Sequence, residues 1–156
     1  MLNNGKIKTN WFPKKIIFLD IDGVLNSKDW YFCRKGKKGK GNIDPAAVRN
    51  LKSIIKKTDA SIVLSSSWRT MSDIFEQFRN FGQGLELYAI LNPLKNKGEA
   101  LDEWMETYGK LNFSYIIIDD DNEYGDKYDD ALFQTDYEHG LVKRHIEKIV
   151  EELNNG

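Results

Sequence analysis

The chain has 156 residues, 40% of them hydrophobic, and a formal net charge of −1; this fits one domain with a single well-buried core, and excludes a global electrostatic pull toward nucleic acid or an anionic membrane. Any such attraction has to come from local patches. The single cysteine, Cys33, excludes an intramolecular disulfide, and no Cys/His cluster has the spacing of a zinc site. No apolar run approaches the about 20 residues that span a bilayer. The opening stretch MLNNGKIKTNWF lacks the apolar core of a signal peptide, so the expectation is a soluble cytoplasmic protein without a membrane partner.

In chain order, the first element is the uninterrupted run Ile16 to Leu19, short and β-branched as a buried parallel strand should be, and it ends directly in Asp20. From Asp44 to Lys57, Val48, Leu51, Ile54 and Ile55 recur at helical spacing, with Asp44 as N-cap and Pro45 at the first helical position. Ile62 to Leu64 form a second strand that runs into Ser65, Ser66 and Ser67. A helix follows over about 72–80, with Ile74, Phe75 and Phe78 inward and a stop before Gly82. A weaker strand near Leu87 to Leu91 precedes a helix from Gly98 to Tyr108, with Leu101, Trp104 and Met105 on one face. The clearest strand, Tyr115 to Ile118, ends in an acidic stretch. A short strand within Ala131 to Thr135 and an amphipathic helix from Leu141 to Leu153 close the chain. Strands alternating with helices predict an α/β, three-layer α/β/α Rossmann-like fold with a mostly parallel sheet, whose ligands bind beyond the carboxyl ends of the strands.

Three of those strands end in polar residues: Asp20 and Asp22, then Ser65 and Ser66, then Asp119 and Asp120. A parallel sheet brings these ends together, and so many carboxylates are tolerable only where protons or a divalent cation offset their repulsion. An all-oxygen acidic site suits magnesium. Phosphate monoesters resist hydrolysis because like charge repels the nucleophile and the leaving oxygen needs a proton. Asp20 is placed to attack phosphorus and form an aspartyl-phosphate, and Asp22 to donate and then recover a proton. Gly23 allows a sharp turn, a serine hydroxyl binds a phosphate oxygen, and Lys97 supplies positive charge, with Lys95 a weaker rival. Taken singly these motifs have bland readings: Asp-x-Asp-Gly is common in turns and calcium loops, and a serine triplet is often a strand end.

The motifs DIDGVLN, LSSSWR, NKGEALDEWM and IIIDDDN, in that order, resemble those of the haloacid dehalogenase superfamily of phosphohydrolases. With QTDYEHGLV added, the set is similar to small phosphatase-like domains associated with RNA repair systems. The resemblance implies Asp20 as nucleophile, Asp22 as acid/base, and a metal held by the Asp20 carboxylate, the Asp22 carbonyl and Asp120 or Asp119. Ser65, or Ser66 after a shift of one residue, falls at the phosphate.

The large cap domain that many superfamily members carry is missing. Only a segment of about 26–42 is left over between the first two motifs, which implies an open site and a large substrate. That segment mixes Lys28, Arg34, Lys35, Lys37, Lys38 and Lys40 with Trp30, Tyr31 and Phe32; it is suited either to tracking a nucleic-acid strand or to being a solvated hairpin whose aromatics pack on the domain. Arg69 is assigned to a substrate phosphate or to a structural ion pair. His139 and His145 read as surface or capping residues, and Tyr124 and Tyr128 as residues that pack the acidic loop. The functional expectation is a phosphomonoesterase acting on an RNA or DNA end phosphate. The alternatives are a small-molecule or nucleotide phosphatase and an idle domain that binds nucleic acid or protein. Without a phosphate-binding Gly-x-x-x-x-Gly-Lys-Ser/Thr loop, any kinase or ligase activity belongs to a partner protein.

Overall fold

The computed structural model describes residues 11–34 and 42–156. Five strands, β1 (Lys15–Leu19), β2 (Ser61–Leu64), β3 (Leu87–Ile90), β4 (Ser114–Asp119) and β5 (Leu132–Gln134), form one sheet in the order β3-β2-β1-β4-β5. Every pairing is parallel. A sheet buried on both faces needs strands without a polar alternation, and the continuous run of β1 meets that requirement. Ile17, Leu19, Leu64, Ile116 and Ile118 face one core and Ile16, Phe18, Val63 and Ile117 the other.

Among the described residues five α-helices accompany the sheet: α1 (Lys28–Arg34), α2 (Pro45–Thr58), α3 (Ile74–Phe81), α4 (Lys97–Tyr108) and α5 (Ile146–Asn155). Helices α2, α3 and α5 pack on the first core, through Leu51 and Ile54, Ile74 and Phe78, and Ile149 and Leu153. Helix α4 covers the opposite face with Ala100, Leu101 and Trp104. The result is three layers, and no inserted domain stands between the motifs among the described residues.

Helix α2 begins where its residue types dictate. The Asp44 carboxylate accepts from the Ala46 N–H at 2.9 Å, Pro45 occupies the first turn, and the helix ends at Asp59 in the left-handed conformation (φ 60°). Three expectations shift. Phe75 is 44% exposed, because α3 aligns Ile74, Phe78 and Phe81 at i, i+4 and i+7, which turns Phe75 off that stripe. The closing helix starts at Ile146 rather than Leu141: Leu141 is buried and its N–H is held by the Val24 carbonyl at 2.8 Å, so the chain cannot coil there. His145 is a capping residue, its Nδ1 accepting from the Val142 N–H at 3.1 Å.

The third shift concerns the leftover segment. Residues 28–34 are a helix, α1, rather than one arm of a hairpin. The Ser27 hydroxyl accepts from the Trp30 N–H at 3.1 Å, and the Lys28 and Asp29 N–H groups reach the Tyr137 and Glu138 carbonyls at 2.9 and 3.0 Å. Lys35, Lys37, Lys38 and Lys40 lie outside the described residues.

Candidate active site

The sheet register decides which side chains meet. Leu19 pairs with Leu64 on one side and Ile118 on the other, so the next residues of these strands emerge together. The backbone ladder runs on past the strand ends: Asp20 N–H donates to Ile118 at 2.9 Å, Ser65 N–H to Leu19 at 2.8 Å and Thr135 N–H to Asp119 at 3.0 Å. One carboxylate oxygen from each of Asp20, Asp119 and Asp120 lies within 4.8 Å of the others. Gly23 makes the close approach of Asp120 possible. Its φ is +83°, and a Cβ there would stand 2.2 Å from Asp120 Oδ2. Its carbonyl is fixed by the buried Thr135 hydroxyl at 2.8 Å.

Lys97, at the first turn of α4, reaches into this cluster. Its Nζ stands 2.7 Å from Asp119 Oδ2, 3.4 Å from Asp20 Oδ2 and 3.5 Å from Glu123 Oε1. The rival Lys95 is pointed elsewhere, paired with Glu103 at 2.9 Å. The Tyr124 hydroxyl links the second and last strand ends, 2.8 Å from Ser65 Oγ and 2.7 Å from Asp119 Oδ2. A phenol has one proton and a carboxylate can only accept, so Tyr124 donates to Asp119 and the Ser65 hydroxyl turns its own proton toward Tyr124. Gly98 lets this loop sit against α4, since a Cβ there would stand 3.1 Å from the Tyr124 carbonyl.

Burial raises the Asp20 carboxyl to about 8, and the neighbouring Asp119 charge adds to the effect. For Asp119 burial also pushes upward, but hydrogen bonding with Asp20 and Lys97 outweighs it and the carboxyl is lowered. Asp120 rises to about 6, through burial first and Asp119 second. Burial works against the Lys97 charge, yet Asp20 and Asp119 more than offset it. At neutrality the Asp20 carboxyl therefore holds a proton that a hard cation would displace. Its donor atoms are all oxygens, and the missing Gly23 Cβ makes room for Asp120, so the residues present fit a divalent metal ion.

Asp22 stands apart from the three clustered carboxylates. Its Oδ2 accepts from Trp68 Nε1 at 3.1 Å and its Oδ1 from Asn26 Nδ2 at 2.9 Å. The same Asn26 accepts from the Gly23 N–H at 2.9 Å, which fixes the turn and the carboxylate together. Ser66 uses its hydroxyl as a cap, accepting from the Trp68 N–H at 3.2 Å at the start of a 3-10 turn, Ser67–Thr70. Ser65 is the serine linked through Tyr124 to Asp119.

Among the described residues Arg69 meets backbone carbonyls rather than the carboxylate of an ion pair. It is buried, and its guanidinium donates to the carbonyls of Ser65 at 2.6 Å, Ser66 at 3.1 Å, Asn92 at 3.4 Å and Lys95 at 2.5 Å. A planar fork suits carbonyls arrayed around it. Arg69 thereby ties the loop after β2 to the loop after β3.

Sequence reading missed Tyr124, Trp68 and Asn26 as members of the site. Tyr124 had only its place in an acidic run as a signal; Trp68 and Asn26 had their nearness to LSSS and DIDG. Residues 16–146 match the family described as the HAD domain in Swiss Army Knife RNA repair proteins. No curated protein and no solved structure matches the chain.

Proposed function

Because the chain belongs to the family of HAD domains in Swiss Army Knife RNA repair proteins, which supports a phosphohydrolase role, we propose that it is a magnesium-dependent phosphomonoesterase acting through an aspartyl-phosphate on a polynucleotide end. The observation that carries this reading is the place of Asp20, at the meeting point of the carboxylate cluster and the Lys97 ammonium, 3.4 Å away.

Asp20, Asp120 and the backbone carbonyl of Asp22 would hold the ion, with Asp119 beside them. When bound, it supplies positive charge that offsets repulsion between the carboxylates and the phosphoryl oxygens. Deprotonated Asp20 attacks phosphorus, and the bond from phosphorus to the leaving oxygen breaks. Asp22 gives that oxygen its proton. Asp22 then takes a proton from water as the water attacks phosphorus; phosphate leaves, and Asp20 and Asp22 return to their starting state. Lys97 and the Ser65 hydroxyl hold the non-bridging oxygens, Ser65 by turning its proton away from Tyr124. Asp119 holds Lys97 in place. The family's association with RNA repair and the absence of an inserted cap among the described residues support a polynucleotide end as substrate.

The test is phosphate release with magnesium from an aryl phosphate and from end-phosphorylated oligonucleotides. Asp20→Asn is expected to abolish release and leave the far-UV CD spectrum unchanged. Turnover that survives this substitution overturns the mechanism, and faster turnover of sugar phosphates than of oligonucleotides overturns the substrate.

A further inference from the structure

A cavity of about 470 Å³ is lined by Trp68, the residue that holds Asp22. Its size lies in the range of about 300–1,000 Å³ usual for ligand sites. The indole N–H of Trp68 holds Asp22 Oδ2 at 3.1 Å and its ring lines the cavity. Phe81 stands nearly perpendicular to it, with ring centroids 5.9 Å apart and planes at 86°, so the two rings make a corner. Ile43 and Pro45 extend the apolar wall, and among the described residues no charged side chain lines the cavity.

Asn42 and two glutamines supply its polarity. Gln77 Nε2 donates to Asp73 Oδ1 at 2.8 Å and Gln83 Nε2 to the Pro45 carbonyl at 3.2 Å. Both partners are acceptors, which fixes each amide with its nitrogen engaged and its oxygen kept as an acceptor. Gln83 also sits at φ 54°, between Gly82 and Gly84. A left-handed backbone is uncommon for a residue other than glycine, and Gln83 adopts it while lining the cavity.

We propose that this cavity seats the nucleobase of the nucleotide whose phosphate is removed, stacked in the Trp68–Phe81 corner, with the Gln77 and Gln83 amide oxygens accepting from its edge N–H groups. The proposal rests on the phosphatase reading and deepens it. A neutral aromatic corner suits a planar uncharged ring, and the hydrogen bond from Trp68 to Asp22 joins that ring to the group that protonates the leaving oxygen. Two acceptors favour bases that carry an exocyclic amino group, adenine, cytosine and guanine, over uracil.

The experiment uses the full chain with magnesium and oligoribonucleotides phosphorylated at the 3′ or 5′ end, whose terminal residue is adenosine, uridine or abasic. Removing the base is expected to lower kcat/KM roughly tenfold or more, and uridine to fall between. Gln77→Met and Gln83→Gly, the latter also relieving the left-handed strain, are expected to narrow the preference for adenosine over uridine while leaving the abasic rate unchanged. An abasic end processed as fast as adenosine, or a preference unmoved by both substitutions, overturns the proposal. Adenosine monophosphate processed as fast as the oligonucleotide, with the same base preference, keeps the pocket and makes the substrate a free nucleotide. If no phosphate is released from anything, it is the phosphatase reading that fails. The pocket is then read by quenching of a terminal 2-aminopurine: quenching that the glutamine variants weaken supports it, and no quenching overturns it.

Discussion

Lys97 contacts Asp20, Asp119 and Glu123 at once, and it acts there as a point charge. Lys97→Met is expected to lower kcat/KM by about 100-fold or more, and Lys97→Arg not to restore it, because a planar fork does not fit a compact pocket made for an ammonium; steady-state kinetics with an aryl phosphate decide both. Gly23→Ala brings a methyl group within 2.2 Å of Asp120 Oδ2 at φ +83°. The expected result is magnesium affinity weaker by about tenfold or more, read by calorimetry, and an affinity equal to wild type would place the ion away from Asp120. Tyr124→Phe leaves the Ser65 hydroxyl and Asp119 Oδ2 each short of a buried partner. A stability loss of about 1–3 kcal/mol in urea denaturation is expected.

At the scale of elements, the loops that follow the strands carry the site, and buried polar groups rather than loop length hold them in place. The Arg69 guanidinium joins the loop after β2 to the loop after β3 through carbonyls of Ser65, Ser66, Asn92 and Lys95. Lysine has three donors on one atom and cannot serve carbonyls spread around a plane. Arg69→Lys is therefore expected to cost about 3 kcal/mol in urea denaturation, against about 1 kcal/mol for Asp44→Ala, which removes only the N-cap of α2. Equal losses would mean that the two loops are held by something other than Arg69.

For the whole molecule, the buried carboxylates couple stability to pH and to metal. Asp20 rises from 3.8 to about 8 on folding and Asp120 from 3.8 to about 6. Between these limits the folded chain binds more protons than the unfolded one, so metal-free stability falls as pH rises through that window. Asp119 is lowered and has the opposite sign, but its effect lies below its ordinary value of 3.8; His145, lowered from 6.5 by burial, also opposes the decline, but below pH 6.5 only, where Asp20 and Asp120 both act against it. Thermal melts from about pH 5 to about pH 8 are expected to show Tm declining without magnesium. With magnesium the decline should be offset most at the alkaline end, where fewer protons compete for the site. A Tm that rises with pH above about 6.5 in metal-free protein would contradict the burial of Asp20, and Asp20→Asn should flatten the slope there.

Sequence by itself determined the order of the strands and of the helices from residue 44 onward, because an uninterrupted run such as IIFL can be buried only between two layers, and because Asp44-Pro45 can begin a helix but not continue one. It also determined that Asp20, Ser65 and Asp119 would meet, since each follows a strand end and parallel strands end on one side. What it left open were contacts between side chains distant along the chain: Tyr124 to Ser65 is 59 residues away, and Trp68 to Asp22 is 46. Local periodicity carries no information about such pairs. The same reason made Arg69 a tie between loops and 28–34 a helix docked on the loop at Tyr137 and Glu138. Buried polar groups must find partners wherever the fold brings them, and only the packed tertiary structure decides which ones they find.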